Sequence, residues 1–193
     1  MEKPYTDRAI LNETIRGFEI VIPAKKNWFV IIFMSAWLGG WLMGEIFALG
    51  AVTGLLGFGS SKAAPAGLFL LFWLVAWTAG GFFAIRTWTW LIAGKEIITV
   101  QHGQISVEKK GALFSQPKTY DLNEVKKIRV QEDDTGNYWG KRNNIWNLNS
   151  GGTIRFDYGL QTIRIAGGID EAEADYILKK LTEKRLLEEK NFE

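Results

Sequence analysis

Few side chains in this 193-residue chain have the type and spacing that chemistry needs, and those few point to recognition more than to bond making. The richest cluster is EDDTGNYWGKRNNIWNLNSG (132–151), where Tyr138, Trp139 and Trp146 stand beside Lys141 and Arg142. Aromatics next to arginine have the composition of an interface hot spot. Connecting segments beyond about 12–15 residues are uncommon in compact domains and often carry function. These five residues are the candidate protein interface; packing back onto their own domain and contact with a membrane stay open as alternatives. Glu132, Asp133 and Asp134 could ligate a cation but read as a solvated polar run. His102, the single histidine, has no serine or carboxylate at catalytic spacing and allows no multi-histidine metal site. GFGSSKAAP (57–65) lacks the Gly-Lys-Ser/Thr ending of a phosphate loop. The chain has no cysteine, hence no thiolate nucleophile or ligand. The expectation is a chain with no catalytic residue, no cofactor and no metal, and not an enzyme.

A second constellation pairs tryptophan with small residues. In SAWLGGWLMGE (35–45) Trp37 and Trp41 lie one helical turn apart, and in LFWLVAWTAGG (71–81) Trp73 and Trp77 do the same. Beside them run Ala36, Gly40, Gly44 and Ala48 in the first stretch and Ala76, Gly80 and Ala84 in the second. Small residues four apart let helix backbones approach closely where lipid supplies no hydrophobic drive, and a groove of glycines makes room for a facing indole. Two readings stay open: a seam between these two helices, and a docking face for another membrane subunit.

The elements that carry these rows follow from the charge pattern. Residues 28–94 contain only Glu45, Lys62 and Arg86 as charges, whereas acids and bases occur in equal number over 95–193. WFVIIFMSAWLGGWLMGEIFALG (28–50) and AGLFLLFWLVAWTAGGFFAIRTWTWLI (66–92) each reach the roughly 20 apolar residues that cross a bilayer. A Gly-rich connector, 51–65, joins them. Lys25, Lys26, Arg86 and Lys95 flank the spans on one side, so the positive-inside bias places both termini in the cytoplasm. The acidic residues among 1–27 give that segment no signal-peptide form. Trp28, Trp88 and Trp90 fit an interfacial belt. Glu45 lies roughly 25 Å up the first span and Arg86 about 9 Å from the end of the second, so they are not expected to pair. The net charge of +2 is too small for a nucleic-acid surface.

From residue 95 the period becomes two. KEIITVQ (95–101) and QISVEKK (104–110) flank His102-Gly103, a hairpin signal. ALFSQPKTYDL (112–122) suits an edge strand, with Pro117 in it. NEVKKIRVQE (123–132) alternates Ile128 and Val130 inward with Lys127 and Arg129 outward. GTIRFDYGLQTIRIAGG (152–168) is a second hairpin turning at Gly159, with Ile154, Phe156, Ile163 and Ile165 on one face and Arg155 and Arg164 on the other. Residues 169–190 predict a helix opened by a capping box of Asp170 and Glu173, with Ala174, Ile177, Leu178 and Leu181 as its stripe. FEIVI, within 10–22, alternates like an added strand, with an amphipathic segment at the surface as the alternative. The fold class expected is α+β: an antiparallel sheet or split barrel closed by a C-terminal helix. Three segments follow: 1–27, a transmembrane hairpin over 28–92, and a domain over 95–193.

The order of these elements, two spans and then GKEIITVQHGQISVEKK, YDLNEVKKIRV, GTIRFDYGLQTIRI and IDEAEADYILKKL, resembles bacterial membrane proteins with a pleckstrin-homology-like domain. The resemblance covers roughly residues 28–185. It implies a seven-stranded bent sheet capped by the C-terminal helix and a place in the inner (cytoplasmic) membrane. Pleckstrin domains that bind inositol phosphates use basic residues between their first two strands. Here that loop reads as His102-Gly103, so no phosphoinositide is expected. The partners expected are the lipid bilayer and a membrane or cytoplasmic protein, with no nucleic acid; a homo-oligomer stays open. The function expected is a membrane-anchored binding or scaffold module, the alternative being an accessory or assembly subunit that packs through its Gly/Trp-rich helices.

Overall fold

The computed structural model describes residues 8–15, 17–57, 64–111, 116–131 and 152–193. They form two units: Met1–Lys25 with Ala93–Glu193, and Lys26–Ile92. The chain is α+β, two long apolar helices and antiparallel sheets with a C-terminal helix.

The first unit holds strands β1 (Ile10–Thr14), β2 (Gly17–Pro23), β3 (Lys95–Gln101), β4 (Gln104–Lys110), β5 (Lys118–Asp121), β6 (Val125–Val130), β7 (Ile154–Tyr158) and β8 (Gln161–Ile165). They make an antiparallel sheet in the order β1-β2-β3-β4-β5 and a second in the order β6-β7-β8. The alternation in FEIVI buries Phe18, Ile20 and Ile22 on one face of β2. That strand pairs with β3 from Gly17 opposite Gln101 to Pro23 opposite Lys95. Residues 10–23 are thus part of the sheet, and the helices α1 (Trp28–Gly57) and α2 (Ala64–Ala93) are inserted at the connection between two paired strands. Just beyond the pairing, Ala24 N–H donates to Gly94 O (2.9 Å).

His102 and Gly103 have φ of 51° and 71°, the left-handed pair that a two-residue hairpin turn requires. The second hairpin keeps the register its sequence implies, with Ile154 opposite Ile165 and Phe156 opposite Ile163. Strand β6 departs from simple alternation. Its pairing with β7 shifts between Lys126 and Arg129, Lys127 has φ 51°, and Val125 and Ile128, three apart, are both buried. A bulge inserts one residue and turns the strand so that both reach the core.

Helix α3 (Glu171–Glu183) places Ala174, Ile177 and Leu181 in the core with Phe156, Ile98 and Val100. It ends well before residue 190. Leu186 N–H reaches Leu181 O (3.0 Å), Arg185 N–H reaches Thr182 O (2.9 Å), and Arg185 sits at φ 56°. These bonds form a Schellman stop, which periodicity could not reveal because the usual glycine is missing. A left-handed arginine costs about 1–2 kcal/mol, partly offset by the freedom glycine has in the unfolded chain. Arg185→Gly is therefore expected to stabilise the domain by about 0.5–1 kcal/mol, read in a thermal or urea melt. A loss of stability would mean that the arginine side chain compensates its backbone.

Buried polar side chains close this unit, Glu96, Glu173 and Asn191 among them. Glu96 on β3 accepts the Gly167 N–H at Oε2 (2.9 Å). Burial pushes its carboxyl above the ordinary glutamate range, against the opposing pull of Lys109 and of the Gly167 and Ala166 amides. Lys109, opposite it on β4, is lowered by its own burial, with Glu96 acting the other way. Asn191, in a 3-10 turn (Glu189–Asn191), donates from Nδ2 to Leu122 O (2.7 Å) and Val125 O (3.0 Å). Glu173 corrects the capping-box expectation. Asp170 does cap the helix, its Oδ1 accepting Glu173 N–H (2.8 Å). The Glu173 carboxylate instead takes the N–H groups of Arg8 (2.8 Å) and Ala9 (2.6 Å) at Oε1.

Candidate functional site

The second unit carries the tryptophans and small residues singled out above. Its helices are 30 residues each, about 45 Å long at 1.5 Å per residue. The first runs past the expected end at residue 50, so 51–57 of the connector is helical. Large apolar side chains point outward all round: Phe29, Phe33, Phe47, Phe69, Phe72 and Val75 are all at least 60% exposed.

The tryptophans pack against two glycines, Gly44 of the expected row and Gly81, which stands outside it. A Cβ placed on Gly81 would fall onto ring carbons of Trp41, and one on Gly44 would lie 3.8 Å from Cζ2 of Trp77. Each helix thus offers a notch to the other's indole. Trp41 Nε1–H donates to Trp77 O (3.2 Å), and Trp77 stacks on Trp73 with centroids 4.7 Å apart. Gly40 and Gly80 correct the expectation: a Cβ on either meets nothing within 4 Å. Spacing within one helix does not separate them from the notches: Gly80 is three residues from Trp77 and Gly81 four, and Gly40 is four from Gly44, all within reach of one face. What separates them is which glycine meets the facing helix's indole. Of the alanines, Ala48 is buried in a small cluster with Val52 and Leu74. Ala36 and Ala76 are exposed, Ala84 is half-buried, and Trp37 is exposed.

Two further polar contacts cross between the helices. Trp88 Nε1–H donates to Ser35 Oγ (2.8 Å), so it does more than sit in an aromatic belt. Ser35 in turn donates to Ile31 O (2.7 Å). Thr78 Oγ1 lies 2.5 Å from Glu45 Oε1 and 2.8 Å from Leu74 O. Glu45 is therefore engaged by Thr78. Interhelical hydrogen bonds of this kind are worth about 0.6–2 kcal/mol each in lipid, enough to fix which faces of two apolar helices meet. Spacing alone could not have picked out the notch in α2, because Gly80 and Gly81 both stand within about one turn of Trp77.

The arrangement positions helices and has no nucleophile with its base. Among the described residues no three His, Asp or Glu side chains gather as a metal site. Tyr138, Trp139, Lys141, Arg142 and Trp146, the candidate protein interface, lie outside the described residues. No protein-family model, curated protein or solved structure matches the chain.

Proposed function

We propose that this chain is a non-catalytic scaffold, anchored in the inner (cytoplasmic) membrane by α1 and α2, whose pleckstrin-homology-like domain docks a protein at the membrane surface. The observation that carries the reading is the insertion of a two-helix hairpin between the paired strands β2 and β3. Each helix is long enough to cross the roughly 30 Å hydrocarbon core. A long core helix of a soluble protein is buried, whereas only 6% of the apolar window in α1 and 11% of that in α2 are buried. The pairing of Pro23 with Lys95 also brings the two ends of the hairpin side by side, which supports an even number of crossings and a common side for Lys25, Lys26 and Lys95.

Counted from β2, the first unit has seven strands, four in one sheet and three in the other, followed by a helix. That count supports the pleckstrin-like reading and revises one part of it. The connection between first and second strands is then the transmembrane hairpin, and His102-Gly103 joins the second to the third. Where a lipid-reading pleckstrin domain offers a basic loop to headgroups, this chain offers two covalent spans. The buried polar groups Glu96, Glu173 and Asn191 hold the domain together, which leaves its surface for recognition.

Reporter fusions at Glu193 and within 58–62 are expected to report opposite sides of the membrane; a C-terminal fusion active outside the cytoplasm overturns the orientation. Replacing 134–150 with a short Gly/Ser link is expected to leave the domain folded and to abolish copurification of its partner. Unfolding of that variant would assign Trp139 and Trp146 to the core and remove the interface. A second reading, an accessory subunit of a membrane complex, is favoured by the open faces of Gly40 and Gly80. It expects Gly40→Leu and Gly80→Leu to release a membrane partner without loss of stability.

A further inference from the structure

Three arginines form one row across the sheet β6-β7-β8. Arg129 on β6 is opposite Arg155 on β7, and Arg155 is opposite Arg164 on β8. Their neighbours along the strands, Ile128, Ile154, Phe156 and Ile165, are buried, so the arginines take the outer face; Arg164 is exposed and the other two half-buried. Adjacent strands lie about 4.8 Å apart, and like charges directly opposite one another oppose sheet pairing. Stability of the sheet does not account for the row.

Part of the row already shows what it binds. Asp157 Oδ1 lies 3.3 Å from both Nη1 and Nη2 of Arg129 and accepts the Thr162 hydroxyl (2.8 Å). Hydrogen bonding from Thr162, with Arg129 and Lys127 beside it, holds its carboxyl below the usual range. Arg155 Nη1 donates to the amide oxygen of Gln131 (2.9 Å), and this arginine has a further interaction besides. The side chain of Arg164 makes no hydrogen bond or ion pair among the described residues.

We infer that the row Arg129–Arg155–Arg164 is a docking site for the carboxylates of an acidic protein segment laid across the outer face of β6-β7-β8. This gives a partner chemistry to the docking role proposed above and rests on that reading. The planar fork of arginine matches a carboxylate, and Arg129 already holds one carboxylate oxygen, Asp157 Oδ1, between its two Nη groups. A nucleic-acid face spreads basic charge over a wide surface. Here the row ends after three strands, an aspartate stands in the adjoining register, and acids match bases over 95–193.

The test uses the full chain in nanodiscs of zwitterionic phosphatidylcholine and a fluorescein-labelled peptide of alternating Glu and Ser, read by anisotropy at low salt. Wild type is expected to bind. Arg164→Gln weakens binding about tenfold, the loss of one charge-assisted contact worth a factor of ten. Arg164→Lys, which keeps the charge and loses the fork, falls part of the way. Lys179→Gln, an exposed lysine on α3, leaves binding unchanged, and circular dichroism establishes that each variant is folded. Equal losses for Arg164→Gln and Lys179→Gln overturn the inference in favour of unspecific charge. Tighter, Arg164-dependent binding of an oligonucleotide or of phosphatidylglycerol discs overturns the choice of a protein segment. Binding that appears only after Glu132, Asp133 and Asp134 are made neutral overturns docking in trans and makes the chain's own acids the occupant. If the peptide does not bind while replacement of 134–150 still abolishes copurification, this inference falls and the docking role stands.

Discussion

Gly81→Leu is expected to separate α1 from α2, while Gly40→Leu and Gly80→Leu leave the helix pair intact. A side chain at 81 has nowhere to go, because its first carbon already falls onto the Trp41 ring. Relief requires Trp41 to leave its notch, which breaks the bond from its Nε1 to Trp77 O and disturbs the stack of Trp77 on Trp73. Overpacking of this kind costs about 1–3 kcal/mol, and the lost interhelical bond adds about 0.6–2 kcal/mol. Gly81→Ala should show the same direction with a smaller size. Shortening the indole in the same molecule, as Trp41→Ala with Gly81→Ala, should recover part of the loss, since the collision is then gone. Thermal unfolding in detergent reads all of these. Comparable destabilisation by Gly40→Leu would put the seam on the face where both helices are open, and the indole-in-notch account would fail.

The second large effect is Glu173→Ala. One oxygen of this buried carboxylate serves the N–H groups of Arg8 and Ala9, at the start of the chain that becomes β1. Truncation leaves both amides without an acceptor beside the N-terminus of α3. An unsatisfied buried amide costs about 1–3 kcal/mol, so a loss of about 2–4 kcal/mol is expected. Glu173→Gln discriminates the cause. Its amide oxygen can take the place of Oε1 and keep both bonds, while its NH2 replaces Oε2, which has no hydrogen-bond partner among the described residues. The glutamine variant should therefore lose clearly less than the alanine one. Amide exchange should quicken at residues 8–14 in the alanine variant and much less in the glutamine variant. Equal losses in the two would show that the charge matters and the two amides do not.

Glu173 also shows where reading from the sequence stops. Asp170 and Glu173 have capping-box spacing, and Asp170 caps the helix as that spacing implies. The carboxylate of Glu173, however, has two amides from a segment 164 residues away competing for it, and nothing local announces them. Glu96 is hidden in the same way: on an alternating strand it looks like a solvent-facing charge, and its acceptor role depends on Gly167. Where the partners are local, the reading held. The His102-Gly103 turn, the register of β7 with β8 and the stripe of Ala174, Ile177 and Leu181 all follow from patterns within a dozen residues. The two long apolar helices were legible from apolar length, but their seam depends on how the faces of two separate segments meet. An offset of one residue separated the expected Gly80 from Gly81.

The insertion of the helices between β2 and β3 also sets an order of events during synthesis. A chain emerging from the ribosome presents Phe18, Ile20 and Ile22 early, yet the strand that pairs with β2 emerges only after the whole of 24–94 has been made. Until then β2 has β1 for company and an unpaired edge on its other side, the kind of edge that recruits other chains. Pairing over so long a separation is slow to form. It also requires that both ends of the hairpin return to the same compartment. A hairpin that inserted only one helix would leave β3 on the wrong side of the membrane and the sheet permanently open. If α1 and α2 cross a membrane as proposed, closure of the domain is a built-in check on insertion: only a nascent chain threaded correctly can fold, and one that is not exposes an apolar strand to the proteases and chaperones that clear such failures.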